Sequence, residues 1–353
     1  MNWTQLSPDH AKSFIDSVKD DSEKVLFNIQ LCEVYSLPIA FYEGYELVRI
    51  LNRHMMPYLV MDYLSNGEDH YYLDGSESVF HNLNAQRALS LDENNVLSYL
   101  DFYISYVYER GNSLNVVREG EEAPTQLIAH EGDVYNISAL LSYQGKTSQT
   151  NIEVEQGGAI HVKDSLKTSF LTELKPGAAI QYRHKLEDKV IEDTKALLGQ
   201  TATGKALLEH PSAKNLTLKV LNSINYQGFT ANTSEGYITM PAVEQNAKHT
   251  QALVLAYVLR DVQQLSDNFT RQPYTGDRAL FVASNHVKNL DMIEEMCRIV
   301  DEYEEQNVPE ALQALTLMDL EDVYAARKKN IEGAALMEVY LQSLSDKGLR
   351  EAR

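Results

Sequence analysis

Residues 252–262 read Ala-Leu-Val-Leu-Ala-Tyr-Val-Leu-Arg-Asp-Val, and within them Leu253 to Leu259 is the most apolar run of the chain. Over so short a run, periodicity does not separate a fully buried helix from a fully buried strand. The flanks decide it: Gln-Asn-Ala-Lys-His-Thr-Gln-Ala before the run and Arg-Asp-Val-Gln-Gln after it are polar and favour helix. A helix over 247–265 is therefore expected. The run is far shorter than the roughly 20 apolar residues that a membrane span requires.

Working outward from this helix, three regions are expected, 1–118, 119–190 and 191–353, and together they form an α+β protein. The last is mainly helical. Thr201-Ala202-Thr203-Gly204-Lys205-Ala206 resembles a phosphate loop only by its Gly-Lys and reads as a helix start. Residues 224–240 carry Gly228 and Gly236 between short apolar runs and predict a pair of small strands. Helices are expected over 277–304, 309–317, 320–328 and 331–344. The middle region alternates over 134–143 and 150–155, turns at Gln144-Gly145-Lys146 and at Gly157-Gly158, and reads as an antiparallel meander entered through the linker Glu119 to Pro124. The first region is an α/β module. Helices are expected from Ser13 to Tyr35, over 40–52 and from Ser90 to Gly111. Between them lies a hairpin, Tyr58 to Leu64 and His70 to Leu73, around Asn66-Gly67, closed by Asp74-Gly75-Ser76. Eleven of the 21 tyrosines fall between Tyr35 and Tyr108, a density that suits either core walls or a protein interface.

The charge balance bounds the partners. With 31 basic and 51 acidic residues the formal net charge is -20, so phosphate backbones and anionic lipid are repelled, and neither nucleic acid nor a membrane is an expected partner. Cys32 and Cys297 are far apart and form neither a CxxC site nor a disulfide framework, which fits a reducing cytoplasm. The opening residues lack the basic and apolar segments of a signal peptide.

The framework of the 252–262 helix, an apolar run followed by Leu259-Arg260 and Gln263-Gln264, resembles a zinc-metallopeptidase family common in proteobacteria, whose helix carries H-E-x-x-H. Gly236-Tyr237-Ile238-Thr239-Met240 is similar to the strand before that helix, and Asn285 to Met292 to the later helix that completes the family's metal site. Phe41-Tyr42-Glu43, Tyr72 to Ser76 and Ser90 to Leu100 resemble a module of related alphaproteobacterial proteins. The resemblance implies a zincin-like C-terminal domain in which the reactive positions hold Tyr257, Val258 and Asp261, with Asn289 at the third ligand position and Asp291 beside it. Zinc prefers imidazole and thiolate, and a β-branched alkyl group offers no general base. The expectation is a pseudo-peptidase without metal or cofactor, and without catalytic residues. Its old cleft, around Tyr237, Tyr257, Asp261, Asn289 and Asp291, would receive a protein or peptide partner. A hydrolase using an unusual metal or another site is the alternative. Among the ten histidines there is no H-x-H or H-x-x-x-H, and His70 with Asp74 and His184 with Asp188 read as surface pairs. The acidic run Asp301 to Glu305 reads as a solvated face.

Overall fold

The computed structural model describes residues 3–18, 29–56, 58–73, 77–86, 89–109, 114–116, 125–143, 146–162, 187–214, 216–221, 230–232, 237–241, 248–267 and 274–344. The chain is α+β, with a strand-rich N-terminal part and a helical C-terminal part.

The first sheet is an antiparallel meander of β1 (Thr4–Gln5), β2 (Glu33–Pro38), β3 (Glu46–Asn52), β4 (Leu59–Ser65) and β5 (His70–Tyr72) in that spatial order. Helix α1 (Pro8–Val18) covers one face, where Ile15 meets Val34, Val48, Ile50, Met61 and Tyr63. The other face packs under α2 (Glu77–Ala85) and α3 (Val96–Ile104), the latter running on as a π-helical turn, Ser105–Glu109. β3 pairs on both edges and is covered on both faces. That is why the segment expected as a helix over 40–52 is a strand: Leu47, Val48, Ile50 and Leu51 fit either period, and only the partner strands separate them. Likewise, of the expected first helix, the part to Val18 is helical, 19–28 lie outside the described residues, and Glu33–Pro38 is a strand. The Asn66-Gly67 hairpin is present. Gly67 has φ 92°, and the Asn66 side-chain oxygen accepts from the Glu68 and Asp69 amides at 3.0 and 2.7 Å.

A second antiparallel sheet contains β6 (Leu114–Val116), β7 (Gln126–Glu131), β8 (Val134–Tyr143), β9 (Lys146–Glu155) and β10 (Ile160–Val162). Tyr135, Ile137, Ala139 and Leu141 on β8 are buried while alternate residues are half-buried, the period-2 pattern legible in the sequence. These residues share one core with Leu47, Leu64, Phe80 and Leu100, so the meander and the N-terminal module bury each other. The tyrosines here build core: Tyr35, Tyr42, Tyr63, Tyr99, Tyr103 and Tyr106 are all buried. The expected turn at 74–76, the linker 119–124, Gln144-Gly145 and His184 lie outside the described residues.

The C-terminal part begins with α4 (Glu187–Leu198), α5 (Ala202–Glu209) and a single turn, α6 (Pro211–Lys214). Thr201 caps α5, its hydroxyl accepting from the Gly204 amide at 3.1 Å, so the Thr-Gly-Lys segment is a helix start. The Glu302 carboxylate also accepts from the Thr203 amide, at 3.1 Å, a negative charge at the positive helix end. A small mixed sheet follows, β11 (Thr217–Leu221) parallel to β13 (Tyr237–Pro241), and β12 (Thr230–Asn232) antiparallel to it. Then come α7 (Lys248–Ser266), α8 (Arg278–Glu305), α9 (Glu310–Leu317), α10 (Glu321–Lys328) and α11 (Gly333–Leu344). Every residue of α7 from Gln251 to Leu259 is buried, so the 252–262 stretch is a helix that its neighbours surround.

The acidic run at the end of α8 is not simply solvated. Asp301 accepts from the Tyr324 hydroxyl and pairs with Lys328, both at 2.8 Å, and it also binds Arg327. Burial raises the Asp301 carboxyl pKa, but these bonds from α10 outweigh it and hold the group below its ordinary value. Changing Asp301 to lysine should therefore set three cations together and lower stability by about 1 to 2 kcal/mol, measured as a shifted urea midpoint. Alanine at exposed Glu305 should leave that midpoint in place.

Candidate functional site

The five residues expected around the old cleft fall on three elements. Tyr237 opens β13, opposite Thr217 on one side and Asn232 on the other. Tyr257 and Asp261 are one turn apart on α7, and Asn289 and Asp291 lie on α8. Gln264 donates to the Lys288 carbonyl at 3.2 Å, and Arg260 to Asp291 at 2.8 and 3.1 Å. These pairs fall in opposite order along the two helices, which therefore run antiparallel.

Between them the helices are closed by charge pairing and packing. Lys288 Nζ lies 2.8 Å from Asp261 Oδ1, with side chains 14% and 25% exposed, so an ammonium group stands beside the carboxylate. Burial raises the Asp291 carboxyl pKa, but hydrogen bonds from Arg260 and Gln264 outweigh it and hold the group below its usual value. Tyr257 and Val258 are buried, at 6% and 5% exposure. Asn289, 1% exposed, turns its amide to a different module: Nδ2 is 3.3 Å from His54 Nδ1 in the β3–β4 turn.

The residues that the sequence resemblance aligned with metal positions do not fit zinc. Val258 has no donor atom, Asn289 is a neutral amide, and the one carboxylate is engaged by Lys288. Among the described residues no three His, Cys, Asp or Glu side chains cluster as a metal site elsewhere. Cys32 and Cys297 are buried thiols, each pushed up to about 12 by burial, which leaves them protonated and poor nucleophiles. A cavity of about 600 Å³ opens beside α10, but Asp301, Glu304, Arg327 and Lys328 in its wall already bond one another or Tyr324.

Sequence reasoning missed His54 and His286. Their rings lie 4.4 Å apart at 37°, and Tyr340 of α11 meets His286 edge-on at 5.8 Å. No local spacing could reveal a pair so distant in the chain. His70, expected at the surface, is instead half-buried, joining Ser65 (2.9 Å) to Ser17 (3.1 Å) and so β4 to α1.

Comparison of the chain with protein-family models, with curated proteins and with solved structures returns no match. No described helix is long and apolar enough to cross a membrane.

Proposed function

We propose that this chain is a non-catalytic relative of the zinc-peptidase scaffold, working in the cytoplasm by binding a protein or peptide partner. The observation that supports this reading is the ion pair between Lys288 and Asp261. A side-chain ammonium fixed on α8 satisfies the carboxylate that a metal would otherwise need, and the buried Val258 leaves no base to activate water. The net charge of -20 favours a protein partner over an anionic polymer. Tyr257 and Asn289 are buried, so a partner would meet this site at its rim, where Asp261 and Asp291 keep partial exposure.

Two measurements test the reading. Protein purified without added zinc should hold far less than about one zinc per chain by elemental analysis, with the same content after Asp261→Ala. Stoichiometric zinc lost on that change would overturn it. The register is tested by reinstalling the reactive groups, Tyr257→His, Val258→Glu, Asp261→His and Asn289→Glu, together with Lys288→Ala. A zincin-like scaffold should then bind about one zinc per chain, whereas a folded variant that binds none would show that α7 and α8 are not the helices of a vacated zinc site.

A further inference from the structure

The N-terminal module meets the helical part through the turn after β3. Within it, the Asn52 side chain accepts from the His54 amide at 2.9 Å, and Met56 packs on the C-terminal core. His54 lies against His286 and Asn289 of α8, and Tyr340 of α11 meets His286 edge-on; burial makes the Tyr340 phenol harder to ionise, which the Asn289 hydrogen bond partly offsets. The seat is imperfectly satisfied: among the described residues, His286 Nδ1 and Asn289 Oδ1 are buried with no hydrogen-bond partner. Such atoms subtract from the docking energy.

We propose that the ring pair His54 and His286 is an acid-sensitive latch between the two parts of the chain: neutral, it seats the β3–β4 turn on α8, and protonated, it releases that turn. The charges facing the pair explain why a proton is unwelcome. Arg53 of the same turn pairs with Glu33 of β2. From α8, Arg278 donates to the carbonyls of Gln30 and Cys32 at 3.2 and 3.4 Å, and Lys288 is held by Asp261 of α7. An imidazolium would thus join three cations, while the two nearby carboxylates already serve Arg53 and Lys288. Burial, then the charges of His286, Lys288, Arg278 and Arg53, push His54 from 6.5 down to about 3. Burial, reinforced by Arg53 and opposed by Glu33, lowers His286 as well.

The sign follows from linkage. Above the ordinary histidine pKa both forms are neutral and docking has its full strength. As pH falls below it, the released turn takes up protons that the seated turn refuses. The docking constant should therefore fall by up to about tenfold per pH unit for each histidine. Amide hydrogen exchange on the full chain, converted to opening constants at matched intrinsic rates between about pH 7.5 and 5.5, reads this directly. The turn 53–56 and the facing part of α8 should open more at low pH while the core of α7 stays protected. His54→Gln and His286→Gln, which keep a polar side chain but cannot titrate, should each make the dependence shallower, and the double variant should flatten it. Opening that is independent of pH, a slope as steep as the native one in both single variants, a slope retained in the double variant, or equal loss of protection in α7 would overturn the proposal.

Discussion

Replacing Asp62 with alanine is expected to destabilise the protein by about 3 to 5 kcal/mol, the range for breaking a buried ion pair by removing one partner. Asp62 lies at a central position of β4 directly opposite Arg49 of β3, and its carboxylate accepts from Arg49 Nε and a terminal guanidinium nitrogen, each at 2.7 Å. The Tyr106 hydroxyl, delivered by the π-helical turn, adds a third bond at 2.7 Å. Both charged residues are at most 4% exposed, and Trp3 lies 4.9 Å from the guanidinium carbon. Alanine would leave Arg49 charged in the core beneath α3. Urea unfolding of the single variant and of Arg49→Met with Asp62→Leu separates the causes: the double variant should recover much of the loss, because apolar residues of similar volume leave no buried charge. A single variant within about 1 kcal/mol of the native protein would mean that water reaches the pair.

Gly204→Ala is expected to cost about 3 kcal/mol, from overpacking where nothing can yield. A methyl group there would lie 2.1 Å from the backbone carbonyl oxygen of Leu198 and 2.6 Å from the Thr201 hydroxyl that caps α5. A flexible side chain could move aside, but the carbonyl belongs to the last residue of α4, so α5 would have to withdraw from its neighbour and weaken its own cap. Gly157→Ala is the matched control, since no atom lies within 4 Å of its added methyl group. Thermal unfolding should show a large fall for the first and little change for the second. Equal melting temperatures would show that the α4–α5 corner is looser than its geometry implies.

Local signals were enough wherever a helix or a hairpin contains its own instructions. The C-terminal helices α8 to α11 were legible in apolar spacing, α7 in its polar, helix-favouring flanks, and the meander in its alternation, because period and turn chemistry act over a few residues. Gly67 in the left-handed region is the same kind of case. The site was legible only in part. The resemblance brought Tyr257, Asp261, Asn289 and Asp291 to two helices, and these pack antiparallel, but nothing near Asp261 in the chain announced that Lys288 would be its partner.

What tertiary structure alone decided are the features whose partners are remote. Glu46–Asn52 became a strand because β2 and β4 use its backbone groups on both sides, and helix propensity is too weak to resist two ladders and two apolar faces. Tyr42, Tyr99, Tyr103 and Tyr106 became core because they share it with the second sheet, and Tyr63 because α1 covers it. His54 and His286 came together where the β3–β4 turn meets α8, a contact between residues of two cores that are remote in the chain. The sequence by itself determined the elements that local hydrogen bonding and spacing can specify. The burial, pairing and protonation of individual side chains depend on surfaces that exist only once those elements have packed.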